Sequence, residues 1–194
     1  MLNLPRLKNL QMLETNFTPF PEINTERLLL RKITKDDAPA ILKLRSDERV
    51  MQYIDREMAC NIADAETYIN RICTSLDINE GITWGIALKE TPDILIGSIG
   101  YWRIIKEHYR AEIGYMLSPD YWKKGIMKEA MMAIIEVGFK SIQLHSIEAH
   151  INPLNTASSL ILVSAGFIKE AYFKENFFYK GTFRDTEIYS LLNN

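Results

Sequence analysis

The chain has 194 residues, of which 47% are hydrophobic and 25% charged, and its formal net charge is −2. This size and composition predict one soluble globular domain, slightly above the typical domain size. The small net charge gives no basic field of the kind that attracts nucleic acid, and no apolar run reaches the roughly 18 residues that span a bilayer. Two cysteines, Cys60 and Cys73, without metal-like spacing favour a reduced cytoplasmic setting.

Residues 1–23 are expected to form an N-terminal extension, and residues 24–194 a single domain. The leucines of the segment Met1–Gln11 are interrupted by proline and basic residues, so the segment is not a signal-peptide core. Further on, prolines on both sides of Phe20 indicate an extended arm. This arm either packs on the body or on a partner, or it is a loosely ordered tail.

The first half of the domain shows both strand and helix patterns. The first helix starts near Thr34 or Asp37, and Pro39 favours the later start because proline suits a first helical turn. A second helix opens at Asn61 and carries apolar residues at helical spacing. Two strand-like segments around residues 91–93 form a hairpin. The strands predicted for this half are 26–33, 83–90, 94–104 and 110–117.

The stretch from Glu112 to Ala130 combines a strand, a turn and the start of an amphipathic helix. A helix N-terminus offers about four unpaired N–H groups and roughly half a positive charge. Gly125 would let a ligand approach the backbone, and Lys123 and Lys124 add full charges. The stretch therefore predicts a phosphate site, the alternative being an ordinary connection with a solvated basic turn.

A second motif follows in the chain. A strand over 145–151 leads to a helix that starts at Asn155 and stops at Gly166, with Phe167 folding back as a hydrophobic contact. The last two strands, 167–178 and 184–192, flank a turn at residues 179–181. The residues of this helix that are expected to face the interior are Ala157, Leu160, Ile161 and Leu162.

Together these segments resemble the GNAT acetyltransferase superfamily, and within it the branch of RimJ/RimL-like protein N-acetyltransferases. The family's Gln/Arg-x-x-Gly-x-Gly/Ala loop, which holds the pyrophosphate of acetyl-CoA, matches the run from Trp122 to Met127. Tryptophan at the first place fits the branch, whereas Met127 replaces the usual small residue and is expected to narrow the space near the pyrophosphate. The resemblance covers roughly residues 24–192. Its other matches are Asn155, Ser158, Gly166, Phe167 and the opening Thr25–Arg31.

The resemblance implies an α/β (α+β mixed) fold. Its centre would be a mixed, mostly antiparallel twisted sheet of six to seven strands, flanked by about four helices. The strand ending at Leu117 would splay from the strand beginning near Ser146, and the thioester would lie in the gap.

The implied activity is direct transfer of acetyl from acetyl-CoA to a primary amine in a ternary complex, with no covalent intermediate and no metal. The acceptor would be a protein N-terminal α-amine or a small amine such as an amino acid, polyamine or antibiotic. A non-catalytic acyl-CoA-binding regulatory module stays open as the alternative of another class, because of Met127 and Phe177. Neither nucleic acid nor membrane is an expected partner, and a homodimer is compatible with the sequence.

By the same resemblance, Glu112 is the candidate base and Ser158 the candidate acid on the thiol side. Glu112 could instead be an outward-facing carboxylate paired with Arg110 or another cation, and Ser158 a serine that only bonds the Asn155 backbone. Many family members place a tyrosine where this chain has Leu162, which cannot donate a proton. The expected acetyl-CoA contacts are Tyr115, Met116, Leu117, Trp122, Lys123, Lys124, Gly125, Ile126, Met127, Lys128, Asn155 and Ser158.

Some RimL-like enzymes carry a second glutamate on the late strand. The matching position here is Phe177, and Glu175 is its nearest acidic neighbour. Three histidines show no ligand spacing and are expected to be surface or core residues: His108, His145 and His150. Four aromatic residues could wall an acceptor pocket or belong to the core: Trp84, Tyr101, Trp102 and Tyr172.

Overall fold

A computed structural model describes residues 12–193. The segment Met1–Gln11, and with it the expectation about signal peptides, lies outside the described residues. Eight strands form one sheet in the order β1-β2-β3-β4-β5-β6-β8-β7. They are β1 (Ile23–Asn24), β2 (Leu28–Lys32), β3 (Ile82–Leu88), β4 (Gly97–Ile105), β5 (Arg110–Leu117), β6 (Ser146–Ile151), β7 (Ile168–Tyr179) and β8 (Thr182–Leu192). The helices are α1 (Ala38–Ser46), α2 (Glu48–Met51), α3 (Ile62–Asp77), α4 (Ile126–Lys140) and α5 (Thr156–Ser164).

The predicted mixed, mostly antiparallel sheet is confirmed. Every neighbouring pair is antiparallel except β5 and β6, which are parallel and are joined through α4. The described chain holds one strand and one helix more than the sequence indicates. The additions are the two-residue β1 and the four-residue α2, and both are too short to show a hydrophobic period. No helix within residues 12–193 has the length and apolar character needed to cross a membrane.

The parallel pair β5–β6 is only half joined. Arg110–Glu112 lies beside Ser146–Glu148, and no pairing between the two strands follows, although β5 continues to Leu117 and β6 to Ile151. On their far edges β5 stays paired with β4, and β6 with β8. The predicted splayed strand pair is therefore confirmed, and it leaves a gap in the middle of the sheet.

The N-terminal arm packs on the body from residue 12 onward. Leu13 and Phe17 are buried in the main core. The indole N–H of Trp84 on β3 donates to the carbonyl oxygen of Pro21 at 2.7 Å. Phe20 adds an edge-on ring contact with the same indole, 6.1 Å between centroids. Residues 12–22 of this arm therefore pack on the body of the domain, which is one of the alternatives that the sequence left open.

Helix boundaries follow the predicted capping residues. Asn61 precedes α3, and its side chain accepts the backbone N–H of Asp64 at 3.1 Å. The first helix begins late, after a 3-10 turn at Lys35–Asp37, as Pro39 indicates. Beyond α5, Gly166 adopts a left-handed φ of +93°, and the buried Phe167 donates its N–H to Leu162.

The predicted inner face of α5 is partly wrong. Leu160 is 70% exposed and Ala157 is also exposed, whereas Leu162 is fully buried and Ile161 half-buried. The apolar side chains of this helix are spread around its whole circumference, so their spacing in the sequence does not indicate which face meets the core.

Candidate active site

The gap between β5 and β6 opens into a cleft of about 690 Å³. Its walls come from the diverging strands, from the first turn of α5, from α1 and α3, and from the β7–β8 hairpin. The sequence-predicted site residues that line it are Glu112, Tyr115, Met116, Asn155 and Ser158. Leu117 and the loop residues 122–128 do not line this cleft, so the predicted residues form two neighbouring groups.

Glu112 is buried, at 7% exposure, and faces the cleft rather than open solvent. The alternative of an outward-facing strand carboxylate is therefore wrong in its orientation, but its pairing with a cation is found: Arg103 lies 3.4 Å from Glu112, whereas Arg110 contacts Glu148 at 3.4 Å. Burial raises the pKa of Glu112, while His150 and Arg103 act in the opposite direction. A carboxyl group in this state can accept a proton nearer neutral pH than an exposed glutamate can.

A β-bulge in β4 sets the surroundings of this carboxylate. Tyr101 pairs with Ile113 and Arg103 with Glu112, so Trp102 is the extra residue between them. Trp102 is 48% exposed and lines the cleft, and its indole bonds the Glu112 carboxylate. The bulge thus places an indole and a guanidinium beside one acid. A bulge has no signature in the sequence alone.

A second acid and a histidine complete the cluster. Glu148 stands beside Glu112 in the parallel register and is also buried. His150 lies 3.8 Å from Glu112 and 3.6 Å from Glu148. Side-chain ligand atoms of these three residues lie within 4.8 Å of one another, which is a spacing that a metal ion could use. Arg103 already contacts both carboxylates, at 3.4 and 3.7 Å, so their charge is compensated by protein groups.

Sequence reasoning did not single out Arg103 or Glu148, and it expected His150 to be a surface or core residue. The bulge in β4 brings Arg103 to Glu112, and the register of β5 against β6 brings Glu148 and His150. Neither the bulge nor the register can be read from one strand alone. His108 and His145 are exposed, as expected for surface residues.

Two hydroxyl groups meet on the other side of the gap. Ser158 is the third residue of α5, and its backbone N–H is accepted by the Asn155 side chain at 3.1 Å. Asn155 is therefore the N-cap, and it lines the cleft as well. The Tyr115 hydroxyl is buried without a partner of normal hydrogen-bond geometry in residues 12–193. Burial raises the pKa of Tyr115 to about 12, and the Ser158 hydroxyl opposes that rise.

The glycine-bearing loop lies at the start of α4. Gly125 has a left-handed φ of +76°, and a Cβ built there would meet only the Arg27 guanidinium, at 3.4 Å. The space beside Gly125, at the start of α4, is therefore open except for Arg27. Arg27 fixes the loop, because it donates to the Lys124 carbonyl at 2.9 Å and pairs with Glu129 at 2.7 Å.

Side chains of the loop have separate roles. Met127 is buried in the main core, so it does not narrow the space near Gly125, and this expectation was wrong. The Trp122 indole donates to the carbonyl oxygen of Leu117, the last residue of β5, at 2.8 Å. The Lys124 ammonium group reaches the Asp120 carbonyl at 2.8 Å. Because the Met127 side chain is buried, only the backbone groups of this residue are available to a ligand.

The late hairpin closes one side of the cleft. Phe177 lines the cleft and stacks on Tyr179, with ring centroids 6.5 Å apart. Glu175 is exposed and lies outside the lining. Arg184 pairs with Asp55 at 3.2 Å, which ties the hairpin to the segment between α2 and α3. Of the other aromatic candidates, Trp84 and Tyr101 are core residues, and Tyr172 is exposed outside the cleft.

Comparison with known proteins agrees with this geometry. Residues 27–168 match the family described as "Acetyltransferase (GNAT) domain". The uncharacterized N-acetyltransferase YoaA of Bacillus subtilis is 35% identical over 173 residues, 89% of this chain and 97% of that protein. A GNAT-family acetyltransferase structure from Bacillus anthracis superposes with a TM-score of 0.79 at 31% identity, covering 89% of this chain and 98% of its own.

More distant relatives have named acceptors. The ribosomal protein uS5-alanine N-acetyltransferase of Escherichia coli is 24% identical, covering 86% of this chain and 88% of that enzyme. The spermidine N(1)-acetyltransferase of Vibrio cholerae is 22% identical, covering 83% and 90%. A structure of RimL in complex with coenzyme A shares the fold with a TM-score of 0.81 at 17% identity, covering 89% and 98%.

Proposed function

Because the chain belongs to the GNAT acetyltransferase family, we propose that it transfers an acetyl group from acetyl-CoA directly to a primary amine. One observation carries the proposal. The buried carboxyl of Glu112 and the hydroxyl-bearing Ser158 line one cleft at the point where β5 and β6 separate. An amine and a thioester held there would have a proton acceptor on one side and a proton donor on the other.

The donor site we propose combines the loop at Gly125 with the open edge of β5. Backbone groups around Tyr115, Met116 and Leu117 on the edge facing β6 have no strand partner there, so they can bond the amide groups of the pantetheine arm. The pyrophosphate would accept N–H groups from the first turn of α4, where the helix dipole favours an anion. Lys123, whose backbone φ is +58°, lies beside this turn.

In the proposed reaction, the neutral amine nitrogen attacks the thioester carbonyl carbon, and the carbon–sulfur bond then breaks. The amine proton passes to the Glu112 carboxylate, directly or through water. The Ser158 hydroxyl, next to Tyr115, donates to the sulfur that leaves as a thiolate. Positioning of the two reactants can supply about 7–11 kcal/mol of the barrier reduction, and proton transfer typically adds about 10²–10⁴-fold.

For the acceptor we propose a protein N-terminal α-amine, in the manner of the RimJ/RimL branch, acting in the cytoplasm. The relative that acts on uS5 alanine supports this choice, and the relative that acts on spermidine supports a small amine as the second candidate. Both described cysteines are free, in keeping with a reduced compartment.

The test is release of free thiol from acetyl-CoA in the presence of amines, including peptides that start with Ala, Ser and Thr. We expect thiol release that depends on the amine, and mass spectrometry should find the acetyl group on it. Glu112→Gln should lower the rate about 10²-fold, whereas the exposed Glu107→Gln serves as a matched control with wild-type rates. Binding of acetyl-CoA without thiol release on any amine would favour the regulatory module instead.

A further inference from the structure

Three arginines from separate parts of the chain line one wall of the cleft. Arg45 lies in the last turn of α1, Arg71 lies on α3, and Arg56 lies on the segment between α2 and α3. The Arg45 guanidinium stands 4.4 Å from the centroid of the Tyr68 ring and donates to the Glu57 carbonyl at 3.1 Å. It is thereby held in a fixed position at the cleft surface.

These three guanidinium groups have no carboxylate partner. Within residues 12–193, none of them forms an ion pair at 4.0 Å or less. The acids of the cleft are already engaged elsewhere. Glu112 contacts Arg103 at 3.4 Å, and Asp55 contacts Arg184 at 3.2 Å.

The third cleft acid, Asp185, is also occupied. It accepts the Tyr172 hydroxyl and the Glu175 backbone N–H. The wall formed by the three arginines therefore carries positive charge that the protein itself does not neutralise.

The arginines also act on one another. The pKa of Arg45 is lowered, first by burial and then by the charges of Arg71 and Arg56. Tyr68 beneath it opposes the shift. Arg45 is half-buried and the other two arginines are exposed, and like charges placed together in this way are stabilised when an anion binds between them.

We propose that Arg45, Arg56 and Arg71 form an anion subsite for the acceptor, a proposal that rests on the proposed function. The acceptor is then an amine that also carries a carboxylate or phosphate group. None of the phosphate-loop residues 122–128 lines this cleft, so the subsite is separate from the proposed position of the donor's pyrophosphate. Polyamines, which carry only positive charge, fit this wall poorly.

The experiment compares peptides that share an N-terminal alanine and differ in the next two residues: Asp-Asp, Asn-Asn or Lys-Lys. Free aspartate, O-phosphoserine and spermidine form the small-molecule arm and distinguish a small acidic amine from a peptide. We expect kcat/KM for the acidic acceptor to exceed that for its neutral match by about tenfold or more, with the cationic one lowest.

Substitutions then assign the preference to the arginines. Arg71→Gln, at an exposed position that the fold tolerates, should lower kcat/KM about tenfold for acidic acceptors and little for neutral ones. Arg71→Glu should move the preference towards the Lys-Lys peptide. Arg45→Gln is the second variant of the wall. Arg49→Gln, an exposed arginine paired with Asp47 outside the cleft, is the matched control and should change nothing.

Several results would overturn the subsite. Equal use of acidic, neutral and cationic acceptors would do so, as would a rise in KM for acetyl-CoA in Arg71→Gln, which would assign the arginines to the donor. If no amine is acetylated, the proposed function fails. The anion subsite is then tested by itself, by calorimetry that measures the affinity of the Asp-Asp peptide in the presence of coenzyme A. Equal peptide affinity in wild type and Arg71→Gln would then reject it, and a loss of about tenfold would support it.

Discussion

Replacement of Gly125 by valine is the sharpest test of the donor site. At φ +76° the backbone is left-handed, and an L-residue there costs about 1–2 kcal/mol. A domain of ordinary stability, roughly 5–15 kcal/mol, survives this loss. The added side chain enters space that is open except for Arg27, next to the first-turn N–H groups of α4. Loss of one or two charge-assisted hydrogen bonds, each worth about 1.5–3 kcal/mol, predicts at least a tenfold and up to about a ten-thousandfold weaker affinity for acetyl-CoA.

Calorimetry with acetyl-CoA measures this affinity, and thermal unfolding verifies that the variant is folded. Gly181→Val is the matched control, because Gly181 also has a left-handed φ, +79°, and has no neighbouring atom within 4 Å of its added Cβ. It should lose similar stability but keep its affinity. Unchanged affinity in folded Gly125→Val, or an equal loss in Gly181→Val, would refute the assignment of the loop.

Three further predictions concern the proton donors, the base and the loop anchor. Ser158→Ala should lower kcat about tenfold or more and leave KM for acetyl-CoA nearly unchanged; full turnover would reduce Ser158 to a structural serine. Glu112→Gln should lower kcat about 10²-fold near pH 7, with partial rescue as pH rises and more amine is neutral; an unchanged pH–rate profile would reject its role as the base. Burial acts to raise the pKa of the Glu129 carboxyl group, but its contacts with Thr25 and Arg27 outweigh this and lower the pKa. The stability that the charged carboxylate gives the folded protein is therefore present above the pKa of the unfolded state and is lost as pH falls through the pKa of the folded state. Glu129→Gln should therefore be less stable at pH 7 by about 1–3 kcal/mol, in urea unfolding, with the difference disappearing below about pH 4; a constant difference would contradict the linkage.

Local patterns in the sequence were enough to predict most elements. Asn61 and Gly166 mark helix ends through capping chemistry that involves only nearby residues. Strand β5 was predicted with its observed bounds, Arg110–Leu117, because its apolar pattern is bounded on both sides by turns. Helix α5 was misjudged because its apolar residues have no preferred side.

The surroundings of the candidate site needed the three-dimensional structure. Glu112 and Ser158 follow from the family resemblance, but the environment of Glu112 depends on the bulge at Trp102 and on the register of Glu148. The arginine wall joins residues of α1, of α3 and of the segment between α2 and α3, which lie on three different parts of the fold although they are close in sequence. Such convergence is set by tertiary packing, and no pattern within one element encodes it.

The half-joined pair β5–β6 also limits the shape of what can bind. Neighbouring strands normally lie about 4.7–4.9 Å apart, so one more extended chain needs roughly twice that width between its flanking strands. Because the open edge is recessed between the two halves of the sheet, broad partners cannot reach it, unlike an edge strand on the surface. We expect the opening to select by thickness, admitting a slender, amide-bearing chain and excluding a folded surface. The same recessed position would keep this edge from pairing with another protein.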